Sequence, residues 1–201
     1  DYHHMYKNLE KIINYISNEN FDLCFLGDLR MVPYIRSSIK SKILFSGNLI
    51  TCGTSLSPVR NYKKKILHLG QNSQFHIKRG QVLSDLMSLK VPIDDLNIEI
   101  PKVPINYNKY AAVLNISLNF EWNERWLKVM ESGGVLISDK LSKDNGVSKV
   151  YSEEEVPTFS SIEEAYIKLN KIFTDEEFRF ETALKAQKKY KQFFDREITL
   201  E

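Results

Sequence analysis

The sequence predicts an α/β fold in which a parallel β-sheet carries helices on both faces and a helical C-terminal tail follows. Two observations lead to this fold class. Short apolar segments bounded by turn residues alternate with stretches of helical periodicity, which is the rhythm of parallel strands joined by crossover helices. From Ser161 onward, apolar side chains instead recur at helical spacing between many charges, as they do in surface helices.

The first part of the chain contains two predicted strands and the start of a linker. The segments "FDLCFLG" (Phe21–Gly27) and "KILFSG" (Lys42–Gly47) are short and apolar, and a helical pattern near Leu29–Ile39 separates them. Serine, proline and glycine then cluster in Gly53–Lys65, which indicates a linker between two α/β pieces.

The elements after the linker continue the strand–helix order. A strand at Lys65–Gly70 is followed by a helix whose apolar residues share one side: Ile77, Val82, Leu83, Leu86 and Leu89. The next predicted elements are a strand at Asp95–Ile100, a short helix at Asn106–Ala112, a strand at Val113–Asn119, a helix at Asn123–Ser132 and a strand at Gly134–Asp139.

The tail predicts two helices. Ser160 or Ser161, with Glu163 and Glu164 after it, has the pattern of a helix start. The segment Asp175–Glu197 continues as a second helix with acids early and bases late, which the helix dipole favours.

Composition excludes several classes of function. With 28 basic and 26 acidic residues and a net charge of +2, the chain gives no electrostatic reason to expect nucleic acid as a partner, and the run Lys63–Lys65 is interpreted as a solvated start of a strand. No apolar run approaches the ~18 residues of a membrane span, and no signal peptide is visible. Cys24 and Cys52 lack metal-site or C-x-x-C spacing, so we expect free thiols in a cytoplasmic location and no metal site. We also expect no cofactor. Because the chain begins with Asp1, we also expect that the remainder of a longer chain could accompany it.

Four common ligand sites of α/β proteins are missing from the sequence. After "ILHLG", no second glycine occurs until Gly80, so the G-x-G-x-x-G dinucleotide fingerprint is absent. The chain also lacks a G-x-x-x-x-G-K-[ST] phosphate loop and a G-x-S-x-G nucleophile elbow. Asp22 and Asp28 are separated rather than paired at the end of the first strand, unlike the acids of a phosphate-accepting receiver domain.

The segment "KYAAVLNISLNFEWNERWLKVMESGGVLISDK" resembles the C-terminal, donor-binding domain of GT-B glycosyltransferases, in particular the group-1 type that includes the spore-maturation-like proteins. That family carries R-x-[FL]-E-a-x-a-x-G and then a strand ending in an acid. The residues of this chain at matching positions are Arg125, Leu127, Met130, Gly133 and Asp139. "KKKILHLG" resembles the first strand of the same domain, and the tail resembles its closing segment. The resemblance therefore implies a Rossmann-like GT-B fold, with residues 1–57 as the end of an N-terminal Rossmann-like domain and its linker, and residues 58–201 as the donor-binding domain.

The chain departs from this family at its acidic pair. The signature glutamate, which typically accepts hydrogen bonds from the donor ribose, falls at Lys128, and the acid eight residues upstream falls at Phe120. Because an ammonium has three donors and no acceptor, Lys128 is unable to make the ribose contact, although it could neutralise a diphosphate.

The resemblance and the positions at strand ends imply a set of donor-binding residues. These are Gln71, Asn72, Ser73, Lys78, Arg79, Asn119, Glu121, Asn123, Arg125, Lys128, Gly133 and Gly134. Each has a plainer interpretation. One of the loop asparagines could cap the following helix, the glycine pair could only end it, and Glu124, Lys128 and Glu131 could form a solvated face opposite Trp126, Leu127 and Met130, with Glu124 and Lys128 as an i, i+4 pair. His68 is interpreted as a histidine at the edge of the core, and Asp139 as a residue capping the next turn.

Taken together, the leading hypothesis is a metal-independent glycosyltransferase, or its donor-binding part. It would transfer a sugar from a nucleotide-sugar donor to a glycan, lipid-linked or protein acceptor, with arginine and helix N-terminal amides stabilising the phosphate that leaves. No catalytic residue is assigned. The alternative is a catalytically silent GT-B-like binding or assembly domain, and an unrelated flavodoxin-like binding module would follow only if the resemblance were accidental.

Overall fold

The fold is described from a computed structural model of the chain. The structure describes residues 55–70, 76–96, 105–117, 123–141 and 150–192 in full, and the backbone of residues 193 and 194. It also describes the backbone of two strands, β1 (Leu23–Leu26) and β2 (Lys42–Phe45), and four helical positions between residues 11 and 18. The predicted helix Leu29–Ile39 lies outside the described residues.

β1 and β2 pair in parallel, and five further strands form a second parallel sheet. These are β3 (Lys63–Leu69), β4 (Ile93–Leu96), β5 (Tyr110–Asn115), β6 (Leu136–Asp139) and β7 (Thr158–Phe159). Their order across the sheet is β4-β3-β5-β6-β7, and every neighbouring pair is parallel. The predicted class of an α/β fold with a parallel sheet is therefore confirmed.

Four helices are described beside this sheet: α1 (Ile77–Ser88), α2 (Glu124–Glu131), α3 (Ile162–Thr174) and α4 (Glu176–Phe194). Buried residues of α1 and α3 pack with Ile66 on one face of the sheet, whereas α2 packs with Leu67 on the other. Adjacent residues of β3 thus face opposite apolar layers, as strands covered on both sides require. α4 contacts both α2 and α3.

The tail follows its predicted pattern closely. Ser161 is the N-cap of α3, and its side chain accepts a hydrogen bond from the backbone N–H of Glu164 at 3.2 Å. The carboxylate of Glu164 in turn accepts from the backbone N–H of Ser160 at 2.8 Å. These reciprocal bonds satisfy amides that the first turn of a helix leaves without intrahelical partners.

Several predicted boundaries and faces are wrong. The segment Asn106–Ala112 is a 3-10 turn at Tyr107–Lys109 and then the start of β5 at Tyr110, because pairing with β3 overrides the helix propensity of its alanines. β4 begins at Ile93, before the predicted start at Asp95, and the rest of the predicted strand Asp95–Ile100 after Leu96 lies outside the described residues. Of the apolar residues predicted to share one side of α1, Leu83 and Leu86 are buried, whereas Ile77 at its start and Leu89 just after its end are exposed.

The described start of the linker docks on the C-terminal helix. The side-chain amide of Gln187 in α4 donates to the backbone oxygens of Leu56 and Glu131. Arg60 forms a two-pronged ion pair with Glu177, with its shorter N–O distance at 2.8 Å. Residues 56–60 are therefore fastened to the second α/β piece, and the boundary between residues 57 and 58 stays a prediction.

Candidate functional site

The carboxyl ends of β3, β5 and β6 bring together polar side chains that are far apart in the sequence. α1 begins after β3, and α2 begins after β5. Open α/β sheets bind their ligands at this edge, where strand ends and helix N-termini meet. The described part of the edge divides into an arginine half and a lysine half.

The arginine half is built around Gly70. Arg79, in the first turn of α1, is buried, and its Nη2 donates to the backbone oxygen of Ile116 at 3.2 Å. A Cβ atom on Gly70 would lie 2.9 Å from Nη1 of Arg79 and 3.4 Å from Nη2 of Arg125. Gly70 also has a φ of +147°, which a side chain would strain. The two guanidinium groups therefore converge on a glycine at the end of β3.

Two asparagines hold Arg125. The side chain of Asn123 is the N-cap of α2, and it accepts from the backbone N–H of Arg125 at 3.1 Å. Oδ1 of Asn115, the last residue of β5, accepts from Nη1 of Arg125 at 2.8 Å and from Nδ2 of Asn123 at 3.0 Å. Both of these hydrogen bonds of Arg125 therefore go to neutral side chains.

Burial and a neighbouring positive charge lower the pKa of Arg125. Burial lowers its pKa to about 10, and the charge of Arg79 acts in the same direction. The charges of Tyr107 and Glu124 raise the pKa but do not offset the first two causes. Arg125 is still protonated at neutral pH, so the edge concentrates positive charge where solvent screens it weakly.

His68 lies in β3, shortly before the strand ends at the arginine half. Its ring is fully buried, and its Nδ1 is 2.8 Å from Oδ1 of Asp95, the residue opposite it in β4. Burial lowers the pKa of His68 to about 4, and the charges of Arg125 and Arg79 contribute, although the bond to Asp95 opposes the shift. At neutral pH the ring is uncharged, in keeping with its interpretation as a core residue rather than a base.

The lysine half is centred on Asp139, at the end of β6. Its Oδ1 accepts from the backbone N–H of Ser117, and its Oδ2 accepts from the hydroxyl of Ser117, both at 2.8 Å. The ammonium of Lys78 lies 2.6 Å from the same Oδ2. Asp139, at the end of β6, therefore binds both Ser117 and Lys78.

Lys78 and Arg79 are consecutive in the sequence, and both belong to the predicted donor-binding residues. The structure separates their contacts: Arg79 reaches Gly70 and Ile116, whereas Lys78 reaches Asp139. The reason is the helical step of about 100° between consecutive residues. Beside Lys78 and Asp139 lies an open cleft of about 450 Å³, whose apolar lining comes from Val82, Phe159 and Ile162.

The rest of α2 shows one confirmed pair and one wrong face. Nζ of Lys128 lies 3.2 Å from Oε2 of Glu124, as predicted for an i, i+4 pair. Trp126, Leu127 and Met130 are buried as predicted, but Glu131 is buried too. Glu131 was placed on the solvated face, yet α4 covers that end of the helix, where Gln187 binds the Glu131 backbone.

The predicted glycine pair ends α2 in close contact with the chain itself. Gly133 has a φ of +66°, and a Cβ atom there would lie 2.6 Å from the backbone nitrogen of Pro58. A Cβ atom on Gly134 would lie 3.0 Å from a methyl group of Val129. The space where a side chain of either glycine would lie is therefore occupied by the chain itself. Five other predicted donor-binding residues lie outside the described residues: Gln71, Asn72, Ser73, Asn119 and Glu121.

Three residues of the edge were not predicted from the sequence. Asn115, Ser117 and Ser138 are buried at the ends of β5 and β6, and Nδ2 of Asn115 donates to Oγ of Ser138 at 2.9 Å. The available signal was the interruption of the apolar runs "VLNIS" and "GVLISD" by polar residues just before each strand ends.

Two other features are absent from the described residues. None of the helices in the described ranges combines the length and apolarity that crossing a bilayer requires. Within the same ranges, no group of three or more His, Cys, Asp or Glu side chains is arranged to hold a metal ion.

Residues 97–197, just over half of the chain, match a family model described as "Glycosyl transferase-like". No curated protein matches the sequence.

Solved structures share the fold at low sequence identity. TarM matches with a TM-score of 0.70 and 11% identity, over 96% of this chain and 44% of TarM. Sucrose-phosphate synthase from Thermosynechococcus elongatus matches with 0.65 and 13%, over 96% of this chain and 58% of the synthase. Anabaena HepE, solved in complex with UDP-glucose, matches with 0.58 and 15%, over 96% of this chain and 66% of HepE. The chain spans less than two thirds of the length of each of these proteins.

Proposed function

The chain belongs to the glycosyl transferase-like family, and from this premise we propose that it is the donor-binding part of a GT-B glycosyltransferase that uses a nucleotide-sugar donor. In this proposal, residues 58–201 form the donor-binding domain and residues 1–57 are the end of an N-terminal domain and its linker. The acceptor is a glycan, a lipid-linked molecule or a protein. The resemblance of the fold to GT-B enzymes such as TarM supports the architecture.

The observation that carries the proposal is the convergence of Arg79 and Arg125 at Gly70, on the carboxyl edge of the sheet. When the bond from the sugar to its phosphate breaks, negative charge grows on the phosphate oxygen that leaves. Guanidinium groups that are already fixed in a partly buried site stabilise such a charge without reorganising. We therefore assign leaving-group stabilisation to these arginines and propose a reaction that does not require a divalent metal ion.

The charge of the site and one protein of similar fold support the class of donor. HepE was solved with UDP-glucose, and a pyrophosphate group of that kind carries enough negative charge to engage both arginines. At 15% identity the likeness supports a nucleotide-sugar and no particular sugar.

A second candidate function is a catalytically silent domain of the same fold. The observation that favours it is Lys128, which stands where the resemblance expects an acid and is paired with Glu124. A lysine at this position cannot accept hydrogen bonds from ribose hydroxyls.

Calorimetric titration tests the donor site first. The chain, Arg125→Ala and Lys128→Glu are titrated with UDP, GDP, TDP, CMP and their sugars. We expect one nucleotide to bind the chain and Arg125→Ala to lose roughly ten- to hundredfold in affinity, because a hydrogen bond between charged groups contributes about 1.5–3 kcal/mol. The exposed Arg60 supplies the matched control, and Arg60→Ala should bind as the unchanged chain does.

The outcomes separate the two candidate functions. Gain of affinity in Lys128→Glu would show that the lysine disables a ribose contact and would favour the silent domain. Absence of binding by every variant would contradict the donor-site proposal. For the longer protein, sugar transfer should persist in excess EDTA, and a loss that Mg²⁺ or Mn²⁺ restores would contradict the metal-independent mechanism.

A further inference from the structure

We propose that Asn115 is a positioning residue of this site, whose neutral side-chain oxygen fixes the Arg125 guanidinium without cancelling the charge that binds the anion. The inference rests on the proposed function, because it assigns a role to a further residue of the same site.

Asn115 is held in one orientation by three hydrogen bonds. Its Oδ1 accepts from Arg125 and Asn123, and its Nδ2 donates to Ser138 on the neighbouring strand. The side chain is fully buried. Two donors on one atom and an acceptor beside the other leave no alternative for the amide orientation. Arg125 is therefore aimed by a rigid group on the central part of the sheet.

A carboxylate would be the expected partner for a buried arginine. It would form a shorter, charge-assisted contact, and it would relieve the repulsion between Arg125 and Arg79. Asparagine and aspartate have nearly the same shape, so the available space permits either side chain. Among the described residues, the guanidinium of Arg125 instead donates to Asn115 and to no carboxylate. Stability alone gives no reason for a neutral side chain here.

The same network shows where the carboxylate has been placed. Asp139 lies directly after Ser138 on β6, and it binds the ammonium of Lys78 at 2.6 Å. Its two oxygens also accept from Ser117. At this edge, the carboxylate of Asp139 therefore binds Lys78, whereas the amide of Asn115 binds Arg125. Within the described residues, the guanidinium of Arg125 is thus oriented by a neutral group, and no hydrogen-bonded carboxylate cancels its charge.

The test compares Asn115→Asp with Asn170→Asp in the full chain. Asn170 is exposed on α3, so its substitution changes the net charge equally without touching the site. Inorganic pyrophosphate and the nucleotides named above are the probes, and calorimetry gives the affinities. We expect Asn115→Asp to lose at least tenfold in pyrophosphate affinity while its Tm stays equal or rises, because the new carboxylate pairs with Arg125. Asn170→Asp should match the unchanged chain.

Ionic strength separates this role from simple support of the fold. Losing one effective charge makes binding less sensitive to salt, so pyrophosphate affinity in Asn115→Asp should fall less steeply between low and high salt. Asn115→Ser, which is neutral, should lose less affinity than Asn115→Asp and keep the original salt dependence.

The possible outcomes distinguish the role of Asn115 from the proposed function. Equal pyrophosphate affinity in Asn115→Asp and the unchanged chain, or a lower Tm in that variant, would overturn the role of Asn115 and leave the proposed function standing. Absence of pyrophosphate binding by the unchanged chain would also overturn the role of Asn115. If pyrophosphate binds as expected but no nucleotide does, the role of Asn115 stands and the proposed function fails.

Discussion

Two buried arginines of this chain have opposite surroundings. Arg179 in α4 is fully buried, and its guanidinium donates to four backbone oxygens, those of Val59, Asn108, Tyr110 and Ala111, at 2.8–3.2 Å. Arg125 donates from its guanidinium to one side-chain oxygen among the described residues and lies beside a second positive charge. Burial lowers the pKa of both groups.

Arg179 has the surroundings of an arginine that supports the fold, and Arg125 has those that the proposed anion site requires. Arg179 donates to the carbonyl groups of Val59 before β3, of Asn108 before β5, and of Tyr110 and Ala111 at the start of β5. Its guanidinium carbon lies 3.7 Å from the centre of the Tyr62 ring. Among the described residues, the guanidinium of Arg125 donates to Asn115 alone, and Arg125 lies at the edge where open α/β sheets bind ligands. Arg179 thus completes a set of bonds within the protein, whereas the proposed function assigns an anion to Arg125.

The largest effect is expected from Arg179→Met. Removing the guanidinium leaves buried carbonyl oxygens without donors, so we expect the free energy of unfolding to fall by about 3–5 kcal/mol. Denaturation in urea, followed by circular dichroism, measures the change. The exposed Arg60 is again the control, and Arg60→Met should lower the free energy of unfolding far less, because surface ion pairs contribute little to stability. A loss no larger than that control would end the distinction between the two buried arginines.

The class of fold could be predicted because hydrophobic patterning along the chain reports it directly. The alternation of buried strands and helices, and the capping of α3 by Ser161, are local signals. Boundaries failed where tertiary contacts decide. Tyr110 joins a strand because β3 lies beside it, and Glu131 is buried because α4 covers it.

The candidate site was predictable in part. Arg79 and Arg125 were identified from their places at helix starts and from the resemblance. Asn115 was missed, since its partner Ser138 becomes visible only through the pairing of β5 with β6. The separation of Lys78 from Arg79 follows from helical geometry and could have been anticipated.

A smaller effect is expected from His68, which lies buried beside the arginine half. Its pKa is lowered to about 4 in the folded chain, while the unfolded chain keeps a value near 6.5. Between these values the unfolded state binds more protons, so stability should fall as the pH falls from about 6.5 to 4, by on the order of 2–3 kcal/mol.

The variant His68→Gln isolates this contribution from those of the carboxylates. Glutamine does not titrate and can still donate to Asp95. Urea denaturation at a series of pH values should give a shallower loss of stability in the variant between pH 6.5 and 4. Parallel curves for the two proteins would mean that His68 titrates normally and that the arginine half is less buried than its geometry indicates.

The smallest change in stability is expected from Arg125→Met, although it removes a buried ion. Methionine keeps much of the side-chain volume, and the substitution removes both the desolvation of a charge and its repulsion by Arg79. We expect the free energy of unfolding to stay within about 1 kcal/mol of the unchanged chain, or to rise. The pKa of His68, followed by NMR of its imidazole ring, should move upward, because one of the charges that lower it is gone. A loss of stability as large as that of Arg179→Met would instead place Arg125 among the residues that hold the fold, and would remove the physical basis for an anion site at this edge.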